Sequence, residues 1–248
     1  MREGLKILLL AGTQEARLLP NLLQKHMPDV QVIASFAGAV SQLPDLGVPT
    51  RVGGFGGPEG LADYCRSEEI DFLVDATHPF AAQISRNACH AARLVALPLF
   101  RLTRAPWAET DGDGWHRVGD LDAAASCLPA GSKPFIAVGR KEIKRFCHRS
   151  DLEAVVRMIE RPTCSLPAGW SLQLSRPSKT SREEEAFFRT HGITHVVSKN
   201  SGGEASYAKI AAARALSLPV IMIDRPDLPQ AIEFHDPSAL CEAIAESG

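Results

Sequence analysis

Two hydrophobic periods take turns along the chain. LKILLL, residues 5–10, is a short apolar run suited to a strand buried on both faces. Ala16, Leu19, Leu23 and Met27 then recur at three- and four-residue steps, the spacing of one helical face. VQVIAS (30–35) reads as the next strand, LADYC (61–65) lies on a short helix, and IDFLVDA (70–76) is a third strand. Phe80, Ile84, Ala88, Ala91 and Val95 return to helical spacing, with Pro79 expected at the first helical position. LPLFRL (97–102) closes the series. Strand and helix in alternation predict a parallel sheet with helices on both faces.

Between residues 103 and 114 the pattern stops. TRAPWAETDGDG is polar, glycine-containing and aperiodic, which predicts a linker or a mobile lid. The alternation then resumes with PFIAVG (134–139), a helix over 142–148, and the strands AVVRMI (154–159) and SLQLS (171–175). Ser181 with Glu184 fits a capping box opening the helix REEEAFFRTH. HVVSKN (195–200), an alanine-rich helix over 204–216 and LPVIMI (218–223) complete it. The expected fold is α/β, with two Rossmann-like domains built on parallel sheets over residues 1–108 and 109–248. A single large sheet is the alternative.

Composition narrows the function classes. With 27 basic and 29 acidic residues the net charge is −2, so nothing suggests a general nucleic-acid or membrane binder. Anion recognition must come from local Arg and Lys clusters. The six cysteines are scattered without a C-x-x-C pair and read as thiols in a reducing compartment. Cys147-His148 is not a metal set, and no metal is expected. The N-terminal apolar run ends by Ala11, with Glu15 and Arg17 directly after, too short for a signal peptide; no stretch approaches a membrane span. The cytoplasm is the default compartment.

Ligands of open α/β sheets collect beyond the carboxyl ends of the strands. Residues following the expected strands are Gly12-Thr13-Gln14, Ser35, Thr77-His78-Pro79, 101–104, Gly139-Arg140-Lys141, Ser175-Arg176, 198–203 and Asp224-Arg225. Hydroxyls, glycines and cations dominate them, which suits phosphates in one half and carboxylates in the other. Gly12 permits a tight turn into a helix whose first N–H groups, at Thr13 and Gln14, form an anion site. The spacing G-x-G-x-x-G is missing, however, and Glu15 stands in the first helical turn. A carboxylate there suits the helix dipole but repels pyrophosphate if it points inward, so Glu15 is expected to turn aside, capping the helix or bonding a ribose or carboxamide. Ser35 ends the second strand where NAD-binding folds usually carry an acid, which leans toward NADPH.

GGFGGPEG has five glycines in eight residues, Gly54 among them, and either lets backbone approach a cofactor closely or is a flexible turn. His78, in DATHPF, has an unperturbed pKa suited to proton donation near neutral pH. In the second half Arg140-Lys141 and SKNSGG, with Lys199, Ser201 and Gly202, present cations and free backbone N–H groups; Arg104 and Trp107 stand in the linker, placed to close over a flat anion. Tyr207 and Lys209 do not form the Y-x-x-x-K pair of short-chain dehydrogenases, because Y-x-K turns the two side chains about 200° apart on a helix.

ILLLAGTQEARLL, GGFGG, VDATHPFAAQIS, RAPW, VGRKEI and SKNSGGEASYAKIAAARALSLPVIMIDRP together resemble the precorrin-6A reductases of cobalamin biosynthesis, in order and over nearly the whole chain. The resemblance implies NADPH-dependent reduction of one double bond of a tetrapyrrole, turning precorrin-6A into precorrin-6B. It implies an NADPH domain using Gly12, Thr13, Gln14, Glu15, Ser35, Gly54, Thr77 and His78. A second domain would grip the substrate carboxylates through Arg104, Trp107, Arg140, Lys141, Lys199, Ser201, Gly202, Lys209 and Arg225. His78 is the candidate proton donor, with water as the alternative, and transient contact with the next pathway enzyme stays open. Two departures from the family pattern stand out: Ala11 replaces a glycine, and Ala39 replaces an arginine suited to a 2′-phosphate. Arg51 and Ser35 are then left to carry the NADPH preference. A non-catalytic nucleotide or anion sensor, or an NADPH reductase of another polycarboxylate, is the competing function.

Overall fold

The computed structural model describes residues 4–37 and 45–247. The chain forms two compact units, Met1–Arg104 with Asp227–Gly248, and Ala105–Pro226. Each is an all-parallel six-stranded sheet. The expected single break at 108/109 therefore needs correcting, because the last part of the chain returns to the first sheet.

The first unit contains β1 (Lys6–Ala11), α1 (Gln14–His26), β2 (Gln31–Phe36), β3 (Thr50–Val52), α2 (Pro58–Ser67), β4 (Phe72–Ala76), α3 (Ala82–Leu94) and β5 (Leu99–Leu102). The second has β6 (Trp115–Val118), α4 (Leu121–Cys127), β7 (Pro134–Ala137), β8 (Val155–Met158), β9 (Ser171–Leu174), α5 (Ser181–His191), β10 (His195–Lys199), α6 (Ala208–Ala215) and β11 (Val220–Ile223). β12 (Ile232–Phe234) and α7 (Pro237–Ser247) belong to the first unit again.

In the first unit the order is β3-β2-β1-β4-β5-β12, the doubly wound dinucleotide-fold order. Burial follows the two-residue period of the central strand. Ile7, Leu9 and Ala11 pack with Leu19 and Leu23 of α1 and Leu240, Cys241 and Ile244 of α7. Leu8 and Leu10 pack on the other face with Leu61, Cys65, Ala88 and Ala91 of α2 and α3. Each fully buried leucine contributes about 1.5–3 kcal/mol. β12 joins β5 in parallel, with Glu233 opposite Arg101, and the two pair at 2.8 Å.

The second unit repeats the arrangement. Its order β9-β8-β7-β10-β11-β6 again has a strand, β7, flanked by two later strands, β8 and β10, from which the chain proceeds in opposite directions. Phe135, Phe188, Val196, Ile210, Ala213 and Met222 fill the core on the α5–α6 side.

Several local expectations shift. The α5 capping box is Thr180 with Glu183, one residue earlier than expected. Glu184 is wholly buried instead, ion-paired with Arg157. Helix α3 begins at Ala82, not Pro79, because His78 and Ala81 close a turn first (Ala81 N–H to the His78 carbonyl, 2.7 Å). The expected helix over 142–148 is only a 3-10 turn, Ile143–Arg145. The helix expected over 204–216 splits into a 3-10 turn, Glu204–Ser206, and α6. All six cysteines are free, with the Cys147 and Cys164 sulfurs 3.8 Å apart. Among the described residues no helix is long and apolar enough to cross a membrane, and no group of three His, Cys, Asp or Glu side chains could hold a metal.

Candidate functional site

In a doubly wound sheet the crevice opens where neighbouring strands send their connections in opposite directions. In the first unit that point lies between β1 and β4, and Gly12-Thr13 meets Thr77-His78 there. A Cβ on Gly12 would lie 3.3 Å from both the His78 nitrogen and the Thr77 Cα, so the two strand ends touch through backbone. The Thr13 hydroxyl donates to the Ala76 carbonyl (3.1 Å) and accepts from the Ala16 N–H (3.2 Å), fixing the start of α1 on the end of β4. Gln14 is exposed in the first turn. This is a cradle that a larger residue would crowd, above N–H groups with no acceptor within the helix.

The β4 end is rigid. Asp75 is 1 % exposed and accepts from the Thr77 N–H (3.2 Å) and hydroxyl (2.6 Å). Its other oxygen lies 3.5 Å from Arg101, itself buried and bonded to Glu233 and the Pro229 carbonyl. His78 follows, half-buried, its Nδ1 accepting the Phe80 N–H at 3.2 Å. That bond assigns the proton of a neutral ring to Nε2. An imidazolium would set an Nδ1–H against the Phe80 N–H.

Glu15 turns aside as expected, but toward Arg104, at 3.9 Å. Glu15 Oε2 and Arg104 Nε are both buried without a hydrogen-bond partner among the described residues. Arg104, expected among the substrate cations, thus stands with the cofactor candidates of the first unit.

At the end of β2, Ser35 is buried and in register with Arg51 of β3. The Arg51 guanidinium donates to the Ser35 hydroxyl (2.8 Å) and to the Gly53 and Gly54 carbonyls (3.2 and 3.1 Å). It lies 3.8 Å over the Phe55 ring. The glycine-rich loop is held by this side chain, and Gly53, Gly56 and Gly57 all have positive φ. Those three bonds leave the Nε–H and one Nη2 proton of Arg51 to spare, beside the proton of the Ser35 hydroxyl. Ala39 lies outside the described residues.

In the second unit the equivalent point lies between β7 and β10. Lys199 pairs with Glu142 at 2.8 Å, and Arg140 pairs with Glu160. Lys141 is exposed beside them. Other expected contact residues have partners within the unit. Lys209 is 8 % exposed, its ammonium on the Ser206 carbonyl (2.7 Å) and over the Trp107 ring. Arg225 donates to the Asn200 and Ser201 carbonyls at 3.0 and 3.1 Å. Gly202, at φ +68°, is required, because a Cβ would lie 2.1 Å from the Ala105 carbonyl.

Trp107 is likewise no free lid. Its backbone N–H donates to Asn200 Oδ1 (2.8 Å), its carbonyl accepts from Asn200 Nδ2 (2.9 Å), and its indole donates to the Gly203 carbonyl (2.9 Å). The segment expected to close over a ligand is fastened to the SKNSGG loop. The Arg51–Ser35–loop cluster, the Arg104–Glu15 pair and Glu142 are the features that local pattern reading placed least well.

A family model, Precorrin-6x reductase CbiJ/CobK, matches residues 6–245. The chain is 44% identical over 233 residues to the precorrin-6A reductase of Rhodococcus erythropolis, covering 93% of both chains. It is 39% identical over 226 residues to that of Rhodobacter capsulatus, covering 90% of this chain and 89% of the relative. A solved structure of CobK precorrin-6A reductase superposes with a TM-score of 0.90 at 36% identity, covering 98% and 97% of the two chains. Matched from end to end in sequence and in fold, the chain belongs to the precorrin-6x reductase CbiJ/CobK family.

Proposed function

We propose that this enzyme reduces one macrocycle double bond of precorrin-6A with NADPH, giving precorrin-6B in cobalamin biosynthesis. The first unit holds the cofactor and the second grips substrate carboxylates. A reductase of this family calls for a reduced nicotinamide cofactor. The observation that favours NADPH is the Arg51–Ser35 pair at the ribose end of a dinucleotide-order sheet, where an acid that would repel a 2′-phosphate is missing.

The bound nicotinamide supplies a hydride. The residues of the chain bind and orient. Gly12 would leave room for a pyrophosphate beside the Thr77–His78 backbone, and the Thr13 and Gln14 N–H groups at the start of α1 would donate to it. The buried unpartnered oxygen of Glu15 suits a ribose hydroxyl or carboxamide donor. Gly54 keeps the loop close to the adenosine end. His78, at the β4 end, is a positioning residue, and water is the proton source for the second ring carbon. Lys141, Arg140 and Lys199 meet the carboxylates of the macrocycle; Ser201 and Gly202 shape that loop.

Turnover assays test this. Precorrin-6A mixed with enzyme and NADPH should lose conjugation as NADPH is consumed, while no reaction with either nicotinamide cofactor contradicts the proposal. His78→Ala should slow kcat/KM about tenfold, the loss of one hydrogen bond near 1.4 kcal/mol, and should leave the pH dependence of kcat unchanged. Loss of an acid limb near the imidazole pKa in that variant makes His78 the proton donor instead.

A further inference from the structure

The two units place the same short pattern at the same topological point. Gly12 directly follows β1 and is followed three residues later by Glu15; Gly139 stands two residues after the end of β7 and is followed three residues later by Glu142. Both glycines stand at the reversal of strand order in their own sheet. The two glutamates behave differently. Glu15 leans to Arg104, leaving the Gly12 turn open. Glu142 folds back: one oxygen, Oε2, accepts the Gly139 N–H at 2.7 Å and the Lys199 ammonium at 2.8 Å. It is so close that a Cβ on Gly139 would lie 2.6 Å from it.

Only a three-residue 3-10 turn follows Gly139, so the Lys199 ammonium, beside the Gly139 N–H, is the group that attracts an anion at this point. In the second unit the Glu142 carboxylate sits where an external anion would sit. Lys199 is 13% exposed and Glu142 29%, so the pair is accessible from one side but poorly solvated. Two carboxylates cannot share one ammonium and one N–H without repulsion.

We infer that Glu142 is an internal carboxylate latch on the second unit's anion site, which an incoming substrate carboxylate displaces to reach Lys199 and the Gly139 N–H. The inference rests on the reading of the second unit as the carboxylate-binding one. The latch withholds the site from a dinucleotide pyrophosphate, so cofactor enters the first unit only. It also makes every bound carboxylate compete with Glu142, so affinity for the macrocycle is set below what the cations alone would give.

The test uses the full chain and uroporphyrin I, a stable macrocycle with carboxylates around its rim, followed by absorbance and fluorescence. Glu142→Gln keeps the shape and removes the charge. It should bind uroporphyrin about five- to thirtyfold more tightly than the wild-type chain, the range of about 1–2 kcal/mol for one released charge-assisted bond. Glu142→Ala should move the same way. Lys199→Gln should weaken binding, and the gain from Glu142→Gln should shrink as salt rises. Equal or weaker binding in both Glu142 variants, with wild-type binding intact, overturns the latch and makes Glu142 a residue that merely positions Lys199. No uroporphyrin binding by any of the chains overturns the carboxylate reading of the second unit and the latch with it.

Discussion

Arg51→Ala should cost NADPH about 30- to 150-fold in KM and leave NADH within about threefold. The figure follows from removing charge-assisted hydrogen bonds worth about 2–3 kcal/mol between a guanidinium and a 2′-phosphate. The control is internal. Arg51 also holds the Gly53 and Gly54 carbonyls, so a purely structural loss would loosen the loop and weaken both cofactors equally. Steady-state kinetics with each cofactor separates the two outcomes. Equal losses make Arg51 a loop brace, and an unchanged NADPH KM removes it from the site.

Glu184→Ala should be the most destabilising single substitution in the second unit, by about 3–5 kcal/mol. Glu184 is 0 % exposed, and removing it strands the Arg157 cation between the Phe135 and Phe187 rings, 4.8 and 4.6 Å from their centroids. Breaking one partner of a buried pair leaves an uncompensated charge, which costs far more than the pair contributes. The neighbouring Glu183→Ala removes only the exposed half of the capping box and should cost about 1 kcal/mol. Chemical denaturation of the two variants checks the ranking. Reversal of their order would return Glu184 to the helix cap that its spacing from Ser181 suggested.

That contrast shows where local pattern stops being informative. Ser181 and Glu184 have capping-box spacing, and so do Thr180 and Glu183; only the position of Arg157 on β8 decides between them. The central strands were legible because β1 is apolar on both faces, and the residues after Ala11 and Ala76 announce the crevice by type. β12 and α7 were not, because their reason for joining the first sheet is long-range. Glu233 meets Arg101 across 132 positions, and α7 completes a face of α1. The cations of the second half were visible as charge, but their partners were not. Lys199 reaches Glu142 across 57 residues. Trp107 looked like a lid in an aperiodic segment, yet Asn200, 93 residues away, brackets its backbone on both sides. Arg51 stood out only by elimination, and its value became plain once β3 put it in register with Ser35.

Hydride transfer from the nicotinamide to the macrocycle can be followed by isotope. Precorrin-6A reduced in ordinary water with NADPH deuterated at the transferring C4 position should yield precorrin-6B carrying one deuterium by mass spectrometry. The second new hydrogen should come from solvent. Product free of deuterium, or no product formed with NADPH, would contradict direct reduction by a cofactor held at the Gly12–His78 crevice.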